Sequence, residues 1–392
     1  MRDEWKEKRL GEICELVNGR GFKPHEWKKE GLPIIRIQNL NGSDEFNYYS
    51  GEFDSKILVE PGQLLFAWSG SRGASFGPHI WEGPKGVLNY HTWKVHPAAE
   101  TDRDFLFQLL QFETEKIEAS SHGASALVHV QKGEMEQRKF DVPPALEQRK
   151  IAEILRTWDE ALEKLAGLRA ARQDKFTGLS QQIVGRGGVF PERWPLNSLS
   201  EVSTPVRRKS SGDNHPVMTI SAKSGFLMQS DKFARDMAGR SVERYTLLHE
   251  GEFAYNKGNS KTAPYGCVFR LDRPTALVPF VYYCFALKPG LDSEFYEHLF
   301  AAGALNHQLS RLINSGVRND GLLNLYSDDF YSCRVPVPPI DEQRQIARAL
   351  TAAKQELALL DEEIEALTRQ KRGLMQKLLT GEWRVNSEKA LA

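Results

Sequence analysis

Two long stretches of the chain carry apolar residues at alternating steps of four and three positions. In the first stretch eight of ten such positions are apolar, and in the second nine of ten are. A seam of this kind, held over about five heptads, predicts a long helix that packs against another helix. The first seam runs through Ile151, Leu155, Trp158, Leu162, Leu165, Arg169, Arg172, Phe176, Leu179 and Ile183, and the second through Ile346, Leu350, Ala353, Leu357, Leu360, Ile364, Leu367, Lys371, Leu374 and Leu378.

Both predicted helices follow the same start motif, Pro-Pro-x-x-Glu-Gln-x-x-Ile-Ala. Its two copies occupy residues 143–152 and 338–347, an offset of 195 (338 − 143). Proline is well tolerated at a helix start, and Glu147 and Glu342 place a carboxylate near the positive helix end. Because the two seams are equivalent, we expect the helices to pack on each other. Glycines follow both patterns, so the helices should end near Gly185 and Gly381.

The segments that precede the two helices also repeat, although more faintly. Residues 62–66 match residues 251–255 at an offset of 189, and the opening residues of the two segments match at the same offset. Apolar runs bounded by Gly and Pro predict strands over 32–37 and 62–68, and helical spacing predicts a helix over 105–117. Each segment is therefore predicted to be a mixed α/β globule. The matching opening residues are Trp5, Leu10, Glu12 and Ile13 in the first, and Trp194, Leu199, Glu201 and Val202 in the second.

Charge is balanced over the chain as a whole but not along it. The 392 residues include 52 basic and 52 acidic side chains, which argues against a uniformly basic nucleic-acid binder. Residues 205–272 hold eleven Lys or Arg against seven acids, whereas acids concentrate in the predicted helices. An excess of four positive charges is commonly an ordinary solvated surface, so by itself it identifies no partner.

Cysteine usage and hydropathy indicate the compartment. The four cysteines stand far apart and form no Cys-x-x-Cys pair, which argues against a zinc site and a disulfide scaffold. The N-terminus lacks the apolar core of a signal peptide, and no apolar run approaches the ~20 residues of a membrane span. We therefore expect a soluble protein of a reducing compartment, most simply the cytoplasm. The cysteines are Cys14, Cys267, Cys284 and Cys333.

Sequence motifs of catalysis are absent. The chain contains no His-Glu-x-x-His metal motif and no Gly-x-x-x-x-Gly-Lys phosphate loop. Residues 19–21 begin like a dinucleotide fingerprint, but Pro24 occupies its last glycine position. Residues 141–144 differ from the Asp-Pro-Pro-aromatic motif of amino-methyltransferases by an inserted valine and a missing aromatic residue. His91 and His96 are isolated, which favours structural roles. No nucleophile, base and orienting residue form a recognisable set.

Three features together resemble the specificity subunit of type I restriction-modification systems. They are the duplicated helix-start motif, the closing run Leu374–Gly381, and the opening of the first globule with Trp5, Leu10–Ile13 and Gly31–Arg36. The likeness covers residues 5–383, twice over. It implies that each globule is a target recognition domain that reads one half of a bipartite, asymmetric DNA site. It also implies that the helices form an antiparallel coiled coil that fixes the separation of the half-sites.

The fold class expected from pattern and resemblance is mixed α/β, with an internal pseudo-twofold duplication of two globules and two helices. A helix of 40 residues measures about 60 Å at ~1.5 Å per residue. This length suits half-sites one helical turn or more apart. The expected divisions are target recognition domain 1 (1–143), the first spacer helix and linker (144–190), target recognition domain 2 (191–337), the second spacer helix (338–383) and a flexible tail (384–392).

The resemblance further implies a chain that has no catalytic activity and binds no cofactor or metal itself. S-adenosylmethionine, ATP and Mg are expected in partner subunits. The expected partners are double-stranded DNA, DNA methyltransferase subunits and restriction or translocase subunits, with no membrane. The duplication suggests two methyltransferase copies, docked on outer helix faces. These faces carry Glu153, Arg156, Glu160, Glu163, Arg348, Glu356 and Glu363.

Matched polar loops in the two globules are the candidates for DNA contact, because they combine glycine, Ser or Asn donors, and cations. We expect Lys257 and Lys261 to bind phosphates while Asn259 reads a base edge. Trp68 is a candidate for stacking on DNA, although an aromatic residue at a strand end is more often part of the core. The candidates are Arg20, Lys23, Ser69, Ser71, Arg72 and Ser125 in the first globule, and Arg207, Arg208, Lys209, Lys257, Asn259, Ser260, Lys261, Arg318 and Asn319 in the second.

Some alternatives stay open at this point. Arg169 and Arg172 interrupt the first seam, which indicates a loosened seam, arginine stems with outward heads, or a contact to a partner subunit. A self-contained DNA modification or cleavage enzyme is a second functional class, which a methyl-transfer or nuclease assay would detect. A coiled-coil scaffold that binds only proteins is a third, which a gel shift with random duplex DNA at low salt would distinguish.

Overall fold

The chain forms two compact units, each described here by itself. The computed structural model describes residues 5–120, 127–184, 190–210, 214–232, 243–258, 263–313 and 322–385. Unit 1 comprises Met1–Ala166 and Glu363–Ala392, and unit 2 comprises Gly167–Glu362. Both boundaries fall within long helices. Each unit therefore contains one globule, the start of one long helix and the end of the other. The predicted divisions at the helix ends stay a prediction.

Unit 1 contains the two strands and the helix that the sequence predicted at 32–37, 62–68 and 105–117, as β3 (Leu32–Ile35), β6 (Leu64–Ala67) and α3 (Arg103–Ser120). Its strands are β1 (Lys6–Arg9), β2 (Cys14–Asn18), β3 (Leu32–Ile35), β4 (Tyr48–Tyr49), β5 (Leu58–Val59), β6 (Leu64–Ala67), β7 (Ser69–Ser71), β8 (Gly77–Ile80), β9 (Gly86–Leu88), β10 (Thr92–Pro97), β11 (Leu127–His129) and β12 (Lys139–Val142). Its helices are α1 (Leu10–Ile13), α2 (Ile37–Leu40), α3 (Arg103–Ser120) and α4 (Lys132–Glu136), with 3-10 turns at Pro24–Glu26 and Ser55–Ile57.

The central sheet of unit 1 has the strand order β2-β10-β6-β8 and is antiparallel throughout. A second sheet, β4-β3-β9-β5, contains one parallel pair, β3 with β9. Strand β1 pairs with β12, and β7 pairs with β11. Phe105, Leu109 and Phe112 of α3 are buried in the same core as Phe66 and Trp93 of the central sheet, which is why the helical spacing was visible in the sequence.

Unit 2 repeats this arrangement. Its central sheet, β14-β21-β18-β19, has the same order of equivalent strands, and β13 pairs with β22, β15 with β16 and β17 with β20. Its strands are β13 (Leu196–Ser198), β14 (Ser203–Pro205), β15 (Met218–Ser221), β16 (Gly225–Met228), β17 (Thr246–His249), β18 (Phe253–Asn256), β19 (Cys267–Arg270), β20 (Thr275–Val278), β21 (Tyr283–Leu287) and β22 (Arg334–Pro336). Its helices are α6 (Leu199–Val202), α7 (Gln229–Lys232), α8 (Ser293–Ala301), α9 (Asn306–Leu312) and α10 (Ser327–Ser332).

Two 40-residue helices complete the fold, α5 (Ala145–Val184) and α11 (Ile340–Leu379). Each begins directly after its Pro-Pro pair, as predicted, and Gly381 follows α11 at a φ of 70°, a conformation that favours glycine. The core of unit 1 includes Leu155 from the start of α5 and Leu378 from the end of α11. In unit 2 the core includes Leu350 from the start of α11 and Ile183 from the end of α5. The heptad seam thus continues into both globular cores.

Within each unit the two helices pair in an antiparallel direction. In unit 1 the buried Lys371 ammonium forms an ion pair with Asp159, which also accepts a hydrogen bond from Gln108 at 2.7 Å. In unit 2 Arg169 donates two hydrogen bonds to Asp361, at 2.8 and 3.1 Å. Arg172 lies 2.9 Å from the carboxylate of Glu356.

These ion pairs give the interrupted seam an arrangement that was not among the alternatives drawn from the sequence. The Arg169 and Arg172 guanidinium groups face acids of the other helix, so the polar positions are matched across the seam. The pair also corrects one prediction, because Glu356 faces Arg172 instead of lying free on an outer helix face. The other six residues expected on the outer faces are exposed.

The Glu-Gln dipeptide of the start motif fastens each helix to a globule. In unit 1 the amide of Gln148 donates to the carbonyl of Pro143 at 2.9 Å, and its oxygen accepts from the backbone N–H of Asp102 at 2.8 Å. Gln343 makes the same two contacts in unit 2, with Pro338 at 2.7 Å and Asp292 at 2.9 Å. Asp102 and Asp292 each precede a helix of the globule, so the glutamine joins two helix starts.

None of the helices in the described ranges has an apolar stretch long enough to cross a membrane.

Candidate nucleic-acid interface

The candidate DNA-contact segments of the first globule meet at one edge of its central sheet. Strands β2 and β6 end at this edge and β10 begins there, since Asn18 lies opposite Trp93 and Ala67 lies opposite Thr92. The chain that follows β2 carries Arg20 and Lys23, and the chain that follows β6 carries Ser69, Ser71 and Arg72. We call these five residues, with the strand ends that hold them, the loop edge of unit 1.

Unit 2 brings its candidates together in the same way. Strands β14 and β18 end where β21 begins, since Pro205 lies opposite Phe285 and Tyr255 lies opposite Tyr283. The basic triplet Arg207–Lys209 follows β14, and Lys257 follows β18. These residues form the loop edge of unit 2. Two segments that are about 50 residues apart in the sequence are thus adjacent in each unit.

The segment after β6 is not the free loop that its Ser-Gly-Ser sequence predicts. Ser69–Ser71 form β7, which pairs with β11, so that Ser71 lies opposite Leu127. A β-carbon at Gly70 would lie 2.7 Å from the backbone nitrogen of Phe76, which explains the glycine by close backbone approach. The partner strand β11 is more than fifty residues away in sequence, so local sequence patterns could not predict this pairing. Arg72 lies exposed in the following turn.

The same pairing recurs in unit 2, where Gly258 forms a bridge with Leu322 and the N–H of Leu323 donates to the carbonyl of Lys257 at 2.8 Å. In unit 1 the segment after β6, and in unit 2 the segment after β18, is therefore paired with the chain that directly follows the last candidate loop of the globule. The late candidates themselves, Ser125 in the first globule and Arg318 and Asn319 in the second, lie outside the described residues. So do Asn259, Ser260 and Lys261.

Arg20 is held by its own globule. Its guanidinium forms an ion pair with Glu26 and lies 4.9 Å from the ring centroids of Phe22 and Tyr49. The backbone N–H of Lys23, at 2.8 Å, and then Arg20 keep the pKa of Glu26 below its usual value, so this partner stays ionised. The side chain of Lys23 is exposed, which leaves it better placed than Arg20 for a phosphate.

The three residues of the basic triplet differ in how far their side chains are bound by their own globule. Arg208 donates two hydrogen bonds to Glu252, at 3.0 and 2.9 Å, which first among the causes raises the pKa of Arg208 above its usual value. The ammonium of Lys209 donates to the carbonyls of Arg244 and Tyr245. Arg207 is exposed to solvent. All three residues are exposed, and two of the cations, Arg208 and Lys209, also brace the globule, so Arg207 is the one that we expect to bind DNA.

Lys257 follows β18 directly, and its side chain packs on an aromatic ring. Its ammonium donates to the hydroxyl of Tyr283 at 3.3 Å and lies 4.9 Å from the centroid of that ring. The Tyr283 hydroxyl in turn donates to the carbonyl of Leu325 at 2.7 Å. Lys257 is thus half-buried on an aromatic surface.

Two aromatic residues at the loop edges were not among the DNA-contact candidates predicted from the sequence. Tyr90 lies in the turn before β10 and Phe280 in the turn before β21, and their side chains are 47% and 45% exposed. Trp68, which the sequence did single out, is half-buried against the core and donates its indole N–H to the carbonyl of Tyr90 at 2.9 Å. Trp68 therefore packs against the core, and its stacking on DNA stays a prediction. Aligning the two turns at an offset of 190 would have found the exposed pair.

The chemistry of the buried groups is structural. Burial raises the pKa of Cys14, Cys284 and Cys333 to about 12, so these thiols stay protonated at neutral pH. In the part of the chain that the structure describes, no three His, Cys, Asp or Glu side chains are grouped to hold a metal ion.

Comparison with known proteins finds similarity to one family. Residues 2–170 match the model of the type I restriction modification DNA specificity domain. The type I restriction enzyme MjaVIII specificity subunit of Methanocaldococcus jannaschii is 22% identical over 98% of this chain and 94% of its own length. The EcoBI specificity subunit of Escherichia coli is 26% identical over 40% of this chain and 33% of its own length.

A solved structure shares the fold along the whole chain. The crystal structure of the type I restriction-modification S subunit from M. genitalium superposes with a TM-score of 0.57, at 14% identity, and covers 96% of each chain. The mixed α/β fold class that the sequence predicted is confirmed by this likeness and by the two units described above. With the duplicated start motifs, the repeated sheets and the matching relatives, the chain is similar to the specificity subunits of type I restriction-modification systems.

Proposed function

We propose that each unit of this chain reads one half of a bipartite, asymmetric DNA target through its loop edge. The observation that carries the proposal is the convergence, in both units, of segments distant in sequence on one edge of the central sheet. Each edge presents exposed cations, Lys23 and Arg72 in unit 1 and Arg207 in unit 2. Cations suit phosphates, whereas the diverged side chains around them supply different base readouts in the two half-sites.

We further propose that the long helices set the spacing of the half-sites. The 40-residue length of each helix and the ion pairs that match the two helices within each unit support a stiff connection. Deleting one heptad from each helix at facing positions, residues 162–168 and 362–368, keeps both seams in register. The spacer length that the protein tolerates should change, while the base preferences of both half-sites stay the same.

The test of both proposals is selection of duplexes from a randomised pool by the full chain, followed by sequencing. Two conserved blocks separated by unspecified bases are expected for the wild type. A single continuous block, or no enrichment, would contradict the bipartite target. A spacer that is unaltered by the heptad deletion, together with changed base preference, would contradict the role of the helices.

The same chain is proposed to recruit methyltransferase subunits to equivalent grooves between the globule and the long helix of each unit. In unit 1 a groove of about 590 Å³ is lined by Phe107, Arg156 and Glu163. In unit 2 a groove of about 620 Å³ is lined by the equivalent residues Glu297, Thr351 and Ala358. Two matching grooves support two methyltransferase copies for each chain.

Mass measurement of the reconstituted complex tests the two-copy proposal. At saturating methyltransferase we expect two copies per chain, and one copy with the double variant Glu160→Lys and Glu163→Lys, which reverses the charge of the unit 1 groove. The DNA selection of the variant should match that of the wild type. One copy bound to the wild-type chain at saturation would contradict the proposal.

We propose that catalysis resides in partner subunits, because the chain resembles specificity subunits of multisubunit restriction enzymes. We propose accordingly that S-adenosylmethionine, ATP and Mg bind to those partners. Methyl-transfer and nuclease assays on the purified chain alone, with these cofactors added, should show no turnover above a buffer control. Turnover that copurifies with the chain would favour the self-contained enzyme. In a separate binding assay, the absence of DNA binding at low salt would favour a protein scaffold.

A further inference from the structure

Tyr90 and Phe280 occupy the same place in the two units. Tyr90 lies between β9 and β10, and Phe280 lies between β20 and β21, at an offset of 190 (280 − 90). Both rings stay nearly half exposed, at 47% and 45%. The two globules have diverged in most of their loops, and yet each presents a large aromatic side chain at this turn. A single exposed aromatic residue is common on protein surfaces, whereas its recurrence at the same turn of both units indicates a shared role.

The turn that carries Tyr90 is firmly held. The indole of Trp68 donates to the carbonyl of Tyr90 at 2.9 Å, and the ring of His91 packs 3.7 Å from the Tyr90 ring centroid. Burial lowers the pKa of His91, which keeps that ring neutral at neutral pH. The Arg20 segment passes close by, because a β-carbon on Gly21 would lie 3.8 Å from the Tyr90 ring.

Phe280 is held in a different way. The guanidinium of Arg244 lies 4.2 Å from its ring centroid, at a distance typical of a cation–π contact. Lys209 of the basic triplet donates to the backbone carbonyl of Arg244, which ties this pair to the loop edge of unit 2. The aromatic ring is therefore presented together with positive charge.

An aromatic ring beside cations at the end of a sheet is the chemistry that recognises nucleic acids. Cations attract the phosphate backbone, and an aromatic side chain can pack on a base or enter a base step that is partly unstacked. A protein partner with an apolar pocket would not call for the cations at these edges, which are Lys23 and Arg72 in unit 1 and Arg207 and Arg244 in unit 2.

We propose that Tyr90 and Phe280 are DNA-contact residues, one for each half-site, whose rings pack against bases at a distorted step of the duplex. The inference rests on the proposed function, and it assigns a contact to two residues outside the polar loops. Replacement of either ring should weaken binding and should relax base preference in one half-site only.

The probe is a duplex that the wild-type chain selects from the randomised pool, prepared with 5-iododeoxyuridine at single positions for photocrosslinking. The variants are Tyr90→Ala, Tyr90→Phe, Phe280→Ala and Phe280→Leu, all in the full chain. Trp383→Ala is the matched control, because Trp383 is also exposed, at 52%, and has the Lys377 ammonium 4.9 Å from its ring, but it follows α11. Circular dichroism and thermal melting check that each variant folds.

We expect Tyr90→Ala and Phe280→Ala to weaken binding about tenfold, in line with the loss of one aromatic–base contact. Tyr90→Phe should stay within about twofold of the wild type, Phe280→Leu should fall between, and Trp383→Ala should have no effect. One crosslink should disappear in each alanine variant, in different half-sites. Wild-type affinity and an unchanged crosslink pattern in both alanine variants would overturn the inference and leave the proposed function intact. A wild-type chain that binds no duplex would overturn both.

Discussion

The indole N–H of Trp5 donates a hydrogen bond to the carboxylate of Glu147 at 3.1 Å, and the equivalent bond joins Trp194 to Glu342 at the same distance. This bond links the first segment of each globule to the first turn of a long helix. The glutamates were predicted to suit the positive helix end, and their carboxylates have this second role. The motif therefore fixes the angle at which a helix leaves its globule.

The two glutamates differ in burial, which allows a matched test. The Glu147 side chain is 4% exposed and also accepts hydrogen bonds at 2.8 Å from Arg384, so the expected tail is held at its first residue. Glu147→Gln should reduce the free energy of unfolding of unit 1 by about 2–3 kcal/mol, the usual value of a buried bond to a charged group. Hydrogen exchange of unit 1 amides would measure this.

Glu342→Gln is the control for this change. The Glu342 side chain is 27% exposed, and its partner Arg193 is 69% exposed, so solvent screens the pair. The loss in unit 2 should be no more than about 1 kcal/mol. Equal losses in the two units would show that burial does not decide the strength of this contact.

The arginines in the heptad seam are expected to be replaceable by leucine. Their acidic partners Asp361 and Glu356 are 55% and 45% exposed, so each ion pair contributes about 0–1 kcal/mol. The double variant Arg169→Leu and Arg172→Leu should therefore melt at the wild-type temperature or above it. Its melting should also depend less on salt, since the screened ion pairs are gone. A clear fall in melting temperature would assign the arginines a larger role in the seam.

The basic triplet should divide into one DNA-binding residue and two structural ones. Arg207→Ala should weaken binding to all duplexes alike and lower the salt slope by about 1, without changing stability. Arg208→Ala should instead destabilise unit 2 by about 2 kcal/mol, because Glu252, whose side chain is 12% exposed, loses its bidentate partner. Competition binding at several salt concentrations and urea unfolding separate the two effects. Identical behaviour of the two variants would refute the division.

The stability of unit 2 should depend on pH through His298. Burial lowers the pKa of His298, which shares a hydrogen bond of 2.9 Å with Thr351 and is faced by Glu294, Glu297, Lys354 and Arg270. Above the ordinary histidine pKa of about 6.5 the residue has no effect. Below a pH of about 6.5 the unfolded chain binds a proton that the folded chain does not. The stability of unit 2 therefore decreases as the pH decreases.

The measurement is urea unfolding at pH 7.5 and pH 5.5. Between these two pH values the wild type should lose more stability than His298→Gln, because the variant has no titratable group at position 298. Equal losses would show that His298 is not the group responsible. Other histidines whose pKa is lowered, such as His79, contribute equally to both proteins.

The sequence by itself determined the repeated architecture, because heptad periodicity and proline punctuation are local signals. The long helices begin at the predicted residues, α3 lies where its spacing placed it, and β3 and β6 occur within the predicted runs. The relation between the two globules also followed from the sequence, because equivalent residues recur at similar offsets.

Tertiary structure alone decided which side chains are free to act. The sequence of Ser69–Ser71 is typical of a loop, but these residues form a strand that pairs with β11. Arg208 resembles its neighbour Arg207 in the sequence, but in the structure it is bound to Glu252. Tyr90 has no polar signal in the sequence and is exposed only because of the turn that carries it. Strand partners and ion-pair partners are distant in sequence, so their effect on a residue is invisible to local patterns. The long helices were predictable because their contacts repeat every seven residues, whereas each loop-edge contact occurs once.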